Sequence, residues 1–518
     1  MTHPVPHPAA SANLARFLTA QAKSNPGQTA LRLGSESLDY RALAESSARM
    51  VAVLHAEGVR RGDRVALMAP NVPAFAVLYF AILRAGAVVV PMNPLLKSAE
   101  IHHYLTDSQA RLLLVWDEYA AEGTSAAEAC GTRCLAVGRD SLPRLLAGHD
   151  PVEELADRAA EDTAVLLYTS GTTGHPKGAE LTHLNLTHNT EVCARTLLRL
   201  RPDDVIFGGL PLFHSFGQTV GLNCAVATGA CLTLLPRFDP AEVLRMIERD
   251  RVTVFLGVPT MYAALLAHPA ARTTDTSSLR LCASGGAALP GEVIRGFEET
   301  FGCTVLEGYG LSETSPVASF NHPDGPRRAG TIGTPIEGVR MRVQDDAGRP
   351  SPDGEPGEIA ISGHNVMKGY WRRPEATAAT LVDGWLRTGD IGVRDPDGLF
   401  RIVGRKKDLI IRGGFNVYPR EVEEVLHRHP AVAEAAVIGV PHPTHGEEIA
   451  AVLALKPGAT ATPDELRDFV RAQVAPYKYP RIVQITDTLP KGPTGKILRR
   501  AITLSDHEND ANDAEHSG

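Results

Sequence analysis

A chain of 518 residues, 43% hydrophobic and 22% charged, is long enough for more than one core, since single cores stop growing at roughly 250 to 300 residues. Its formal net charge of −8 excludes a broad nucleic-acid footprint and leaves room only for a local basic patch. The cysteines at 130, 134, 193, 224, 231, 282 and 303 show no C-x-x-C spacing, which suits buried thiols in a reducing compartment rather than disulfides or zinc. The start, M-T-H-P-V-P-H-P-A-A, lacks the basic and apolar blocks of a signal peptide, and the densest apolar run, 76–83, falls far short of the ~20 residues of a membrane helix. A cytoplasmic protein without a transmembrane segment is expected.

Residues 1–12 read as a flexible tail. Leu43, Met50, Val51 and Leu54 then recur at helical spacing, 65–68 reads as a strand, and Phe75, Leu78, Tyr79 and Ile82 mark another helix. The strand 87–90 is expected to end at Pro91, and the pattern resumes at 112–115. Helices alternating with short apolar strands imply an α/β fold, with a large N-terminal domain of parallel-rich sheets covered by helices.

The apolar run 164–167 leads into Y-T-S-G-T-T-G-H-P-K-G, residues 168–178, which reads as a strand followed by a flexible loop. Gly171 and Gly174 allow backbone N–H groups to converge on one anion, Thr169, Ser170, Thr172 and Thr173 add hydroxyl donors, and Lys177 adds a compact positive charge. The stretch suits polyphosphate but is not a Walker A loop, because Gly174 is followed by His175, Pro176 and only then Lys177. A solvated polar turn is the common alternative for such a cluster.

Further on, 205–210 is strand-like and enters P-L-F-H-S-F-G, where His214, alone between aromatics, reads first as a packing or capping residue. Two more apolar strands, 252–258 and 279–283, follow, and the second runs into S-G-G-A-A-L-P, the strand–turn–helix arrangement at which α/β sheets place ligands. In E-G-Y-G-L-S-E-T-S-P, residues 307–316, Tyr309 offers a flat apolar face and Glu313 a carboxylate suited to Mg²⁺. From 339 to 404, alternating segments cut by Asp-Gly pairs at 353–354, 383–384 and 397–398 predict a small antiparallel β subdomain, in which Asp390 reads as one more turn acid. The charged G-R-K-K-D, 404–408, reads as a hinge into a second, smaller α+β domain. Near its end, P-K-G-P-T-G-K places Lys496 in a mobile loop, and the acidic tail 506–518 is expected to be disordered.

Taken together, Y-T-S-G-T-T-G-H-P-K-G, G-Y-G-L-S-E-T, W-L-R-T-G-D, G-R-K-K-D and P-K-G-P-T-G-K resemble, in this order, the motifs of the adenylate-forming superfamily, which includes acyl-CoA synthetases, peptide-synthetase adenylation domains and firefly luciferase. The resemblance covers nearly the whole chain, from about Leu14 to Arg500, and implies an N-terminal AMP-binding domain over 13–404 and a mobile C-terminal domain over 405–505. It implies that ATP and a carboxylic acid form an acyl-adenylate and pyrophosphate with Mg²⁺, and that the thiol of CoA then displaces AMP. Thr169, Ser170, Gly171, Thr172, Thr173, Gly174 and Lys177 would hold the β- and γ-phosphates, with Glu313 and Thr169 on the metal. Tyr309 would lie against adenine beside Gly310, with Gly285, Gly286 and Ala287 lining the pocket and Ser312 on the α-phosphate. Asp390, with Arg405, would hold the ribose, which replaces the turn-acid reading.

Lys496 is implied as the catalytic ammonium of the first half-reaction, and His214 as a wall of the acyl and α-phosphate site. Lys407 takes the hinge position, and Gly413 and Gly414 would border the pantetheine channel. The F-H-S-F-G and S-G-G-A-A-L-P segments and 321–335 are most similar to bacterial fatty acyl-CoA ligases. An acyl pocket of His214, Phe216, Val220, Val258, Thr260, Met261 and Gly310 is mostly apolar or small, which fits an alkyl chain. A medium- or long-chain fatty acid is therefore expected, with a cinnamate- or benzoate-type acid, or transfer to a carrier protein, as alternatives. Retention of Glu313, Asp390, Arg405 and Lys496 together argues against a non-catalytic AMP- or acyl-binding protein.

Overall fold

In a computed structural model, the described residues are 12–169, 176–325, 327–492 and 496–504. The expected tail 506–518 and all but Ala12 of the expected tail 1–12 lie outside them. Two mixed sheets dominate the larger part. One has seven strands in the order Gly369–Tyr370, Lys177–Thr182, Thr163–Thr169, Val88–Met92, Arg64–Met68, Ala110–Trp116 and Arg133–Val137. The other has nine strands, in which Thr304–Gly310, Leu281–Ser284, Val254–Gly257, Val205–Gly208, Cys231–Leu234 and Thr29–Leu33 run parallel.

Helix Pro73–Arg84 explains how the sheets unite. Every residue from Ala74 to Arg84 is buried, which an apolar helix achieves only when covered on all sides, and it packs on strands of both sheets. The resulting core runs continuously from Leu67 and Leu114 of one sheet to Leu31 and Leu232 of the other. Strand Val88–Met92 does not stop at Pro91 as expected: Leu67 pairs with Pro91 and Met68 with Met92. Its pairing with Thr163–Thr169 is confined to Val89, so the missing N–H of Pro91 falls where no second neighbour needs it.

The β subdomain forms a sheet of Val339–Gln344, Gly357–Gly363, Trp385–Arg394, Leu381–Val382 and Phe400–Arg405. Its Asp-Gly turns have left-handed glycines at 354, 384 and 398. Two features depart from a continuous meander. Gly369–Tyr370 leaves to pair with Ala179 and Glu180 of the seven-stranded sheet, and helix Pro374–Thr380 interrupts the run. After the short turn Lys406–Asp408, residues 410–485 form a further sheet of five strands, packed on helices Pro419–Leu426 and Pro463–Arg471 around a separate core. All seven cysteines are free thiols, five buried and Cys130 and Cys134 half-buried. No helix of the described residues is long and apolar enough to cross a membrane.

Candidate active site

The phosphate-loop motif sits at the end of a β-hairpin. Strands Thr163–Thr169 and Lys177–Thr182 are antiparallel, with Tyr168 opposite Gly178 and Thr169 opposite Lys177. Lys177 therefore stands on the return strand at the hairpin neck, whereas the sequence reading placed it in the loop. Ser170, Gly171, Thr172, Thr173 and Gly174 lie outside the described residues. Across the neck, Thr169 Oγ1 donates to Glu313 Oε1 at 3.3 Å, and the Tyr370 hydroxyl donates to the same oxygen at 2.9 Å. Lys177 Nζ lies 5.4 Å from the centre of the Tyr370 ring. Burial and Glu313 both push the Tyr370 phenol pKa up, so it remains a donor.

Glu313 and Ser312 share one tight turn, Ser312–Thr314. A Cβ on Gly310 would stand 1.7 Å from the Pro316 carbonyl oxygen, so this turn requires glycine there. Glu313 and Thr169 offer two hard oxygen ligands side by side. No group of three or more His, Cys, Asp or Glu residues forms a metal cage among the described residues. That donor set fits Mg²⁺, which is commonly held by one or two carboxylates together with substrate phosphates.

At the same end of strand Thr304–Gly310, the Tyr309 hydroxyl donates to Asp390 Oδ2 at 2.6 Å, and Arg405 Nε lies 2.9 Å from Asp390 Oδ1. Asp390 and Arg405 are direct antiparallel partners on neighbouring strands, so the sheet register itself makes the ion pair. Asp390 is only 3% exposed and lies in mid-strand, which rules out the turn-acid reading. Asp390 holds the Arg405 guanidinium firmly charged, while burial and then Asp390 push the Tyr309 phenol pKa up.

The turn after Leu281–Ser284 packs against the aromatic of F-H-S-F-G. A Cβ on Gly285 would lie 3.1 Å from the Phe216 ring, and one on Gly286, at φ +81°, would lie 3.6 Å from Val258 Cγ1. Ala287 beside them is exposed. Thr260 and Met261 begin helix Pro259–Ala267 next to Val258, half-buried, whereas Val220 lies deep in the main core. His214 Nδ1 accepts from the Phe216 amide at 3.3 Å, leaving the neutral ring's proton on Nε2. Burial, reinforced by the charge of Lys496, lowers the His214 pKa to about 4.

Lys496 is the second element of that pair. Its carbonyl accepts from the Gly492 amide at 2.8 Å, and Arg499, three residues on, grips both oxygens of Glu423 at 2.7 Å. Residues 493–495, where a mobile loop was expected, lie outside the described residues. Lys496 is exposed by surface area, although protein atoms crowd its ammonium on one side. Desolvation there, followed by repulsion from Arg405, draws its pKa down to about 8, while Asp390 pulls the other way. The ammonium thus acts electrostatically on His214 and on the Asp390–Arg405 pair at once. Gly413 and Gly414 are not brought to this cleft: they form the turn between Ile410–Arg412 and Phe415–Val417, and a Cβ on Gly414 would meet nothing within 4 Å. Lys407 is exposed in the linking turn.

Two residues of this region escaped the sequence reading. Tyr370, in K-G-Y-W, carries no motif signal of its own. Glu307 is 4% exposed, and its Oε1 accepts from the Leu289 amide at 3.2 Å, fastening the glycine turn to strand Thr304–Gly310. Burial lifts the Glu307 pKa to about 7, against the pull of Arg420 from the C-terminal lobe. A carboxyl between two glycine-rich motifs is the hint the sequence held.

Residues 18–371 match the family model of AMP-binding enzymes, and 421–496 that of the AMP-binding enzyme C-terminal domain. The chain is 38% identical to a long-chain-fatty-acid–CoA ligase of Bacillus subtilis, over 98% of this chain and 97% of that protein. It is 43% identical to a feruloyl-CoA synthase of Amycolatopsis, over 92% and 96%. The crystal structure of ATP-bound MatB from Rhodopseudomonas palustris superposes with a TM-score of 0.90 at 36% identity, covering 95% of this chain and 98% of that one. A cleft flanked by a phosphate-loop hairpin, a buried Asp–Arg pair and a lysine delivered by the terminal lobe agrees with these likenesses, and the chain belongs to the adenylate-forming AMP-binding enzymes, among their AMP-forming acid–CoA ligases.

Proposed function

We propose that the chain activates a medium- or long-chain fatty acid as its acyl-adenylate and transfers the acyl group to CoA, releasing AMP and pyrophosphate. The observation that supports this reading is the electrostatic coupling of Lys496 to both His214 and the Asp390–Arg405 pair. In the first half-reaction a carboxylate oxygen attacks the α-phosphorus of ATP and pyrophosphate leaves. Two anions must meet, and a fixed ammonium lowers the cost of their approach. Asp390 accepts from the ribose hydroxyls, Tyr309 lies along the adenine, and Ser312 donates to the α-phosphate. Thr169 and Glu313 would hold Mg²⁺, whose charge offsets that of the departing pyrophosphate. Neutral His214 walls the acyl side without adding a second positive charge. In the second half-reaction the lobe after Lys407 turns, Lys496 withdraws, and Gly413 and Gly414 border the channel through which the thiol reaches the acyl carbon.

The residues proposed to line the acyl site, neutral His214 with Phe216, Val220, Val258, Thr260, Met261 and Gly310, include no cation, so an acid with an apolar body is favoured over one with a second anionic group. A second reading, an arylpropenoic acid, is favoured by the 43% identity to a feruloyl-CoA synthase. A pyrophosphate-release screen over C4 to C18 and aryl acids, with and without CoA, separates the two. Activity confined to aryl acids overturns the first reading, and acid-dependent pyrophosphate release that CoA cannot carry to a thioester redirects it to a carrier protein.

The pH dependence follows from Lys496. Its ammonium is charged below about 8 and lost above it. Acid-dependent pyrophosphate release should therefore hold level up to that point and fall about tenfold per further pH unit. A plateau reaching about pH 10, the ordinary lysine range, would contradict the role given to this group.

A further inference from the structure

Glu313 is approached from two strands, by Thr169 on the outgoing arm of the hairpin and by Tyr370 on the strand beyond the return arm. The outgoing arm and the segment that follows Tyr370 are both tied to one carboxylate, that of Asp107. Asp107, in the last turn of helix Ser98–Ser108, accepts from the Tyr168 hydroxyl on Oδ2 at 2.8 Å and from Arg373 Nη2 on Oδ1 at 2.7 Å. Its backbone carbonyl accepts from Trp371 Nε1 at 3.1 Å, and the Trp371 amide donates to Gly178 at 2.7 Å. One oxygen thus holds the residue before Thr169, and the other the residue three after Tyr370.

The placement is electrostatically unfavourable by itself. A helix C-terminus repels anions, and this helix has no basic residue in its last turn. Asp107 is also largely removed from water, its side chain 14% exposed. The Arg373 guanidinium and the Tyr168 phenol are what offset those costs. Burial, then Asp107 itself, raises the phenol's pKa, so Tyr168 stays a donor.

We propose that Asp107 is a positioning residue for ATP activation: by joining the hairpin neck to the Tyr370 strand, it sets the spacing between Thr169 and Glu313. This rests on the functional reading above, and it makes a claim about one end of the nucleotide only. The phosphate end should loosen when Asp107 is lost, whereas the ribose end, built by Asp390 and Arg405, should not.

Asp107→Ala removes both acceptors, whereas Asp107→Asn keeps one for Tyr168 and turns an amide toward Arg373. The KM for ATP should rise about tenfold in Asp107→Ala and about threefold in Asp107→Asn, while thioester formation from a supplied acyl-adenylate stays within about twofold of wild type. Adding Arg373→Gln to Asp107→Asn should cause little further loss, since the two share one interaction. Equilibrium dialysis with labelled ATP reads the same weakening without any acid, so the result stands or falls even if no acid in the screen is activated. Unchanged ATP affinity, equal losses in both half-reactions, or full additivity with Arg373→Gln would overturn the proposal. If Asp107→Ala loses its cooperative melt, Asp107→Asn and Tyr168→Phe are judged by the same criteria.

Discussion

Lys496→Ala should lower acid-dependent pyrophosphate release by about a thousandfold or more, because it removes the ammonium proposed to offset charge where two anions meet. Thioester formation from a supplied acyl-adenylate should remain within about threefold of wild type, since that step begins after the charge has been dispersed. The same substitution has a readout that involves no turnover. Lys496 contributes to the depressed pKa of His214, so its removal should let the His214 pKa rise from about 4, measurable by NMR titration of the ring. Equal losses in both half-reactions, or an unmoved His214, would show that the ammonium acts elsewhere.

The opposite pattern is expected for Gly414→Leu. A Cβ at this turn meets nothing within 4 Å in the arrangement described, so pyrophosphate release should stay within about fivefold of wild type. In the arrangement that serves the thiol, the added side chain would stand in the pantetheine channel, and thioester formation should fall about a hundredfold. The φ of +83° adds backbone strain of about 1 to 2 kcal/mol, expected as a lower melting temperature of the C-terminal lobe. Gly414→Asn, which tolerates that conformation better, separates strain from obstruction: it should melt near wild type yet still slow the thiol step. Loss of pyrophosphate release in Gly414→Leu would place the thiol channel elsewhere.

How much was legible in the sequence depended on the range of the interaction. Strands Arg64–Met68 and Val254–Gly257 and helix Pro73–Arg84 announce themselves through local periodicity, and the α/β class follows from their alternation. Strand Lys177–Thr182 does not, because K-G-A-E-L-T alternates too weakly to reveal that the phosphate motif folds back on itself. The pairing of Gly369–Tyr370 with Ala179 and Glu180 spans almost two hundred positions and rests on two residues, so no local pattern records it. The same holds at the site. Motif resemblance named Asp390, Arg405, Glu313 and Lys496, but only the register of two antiparallel strands makes Asp390 and Arg405 partners. Tyr370 and Asp107 act through hydroxyl and carboxylate contacts between distant segments, which is why neither carried a signal.

The crowding around residue 310 also bears on redesign of the substrate range. With the Pro316 carbonyl occupying the space of any side chain there, that position is closed to mutagenesis, however near the acyl group it lies. Libraries meant to reshape chain-length or ring preference should instead vary Phe216, Val258, Thr260 and Met261, the last three of them half-buried.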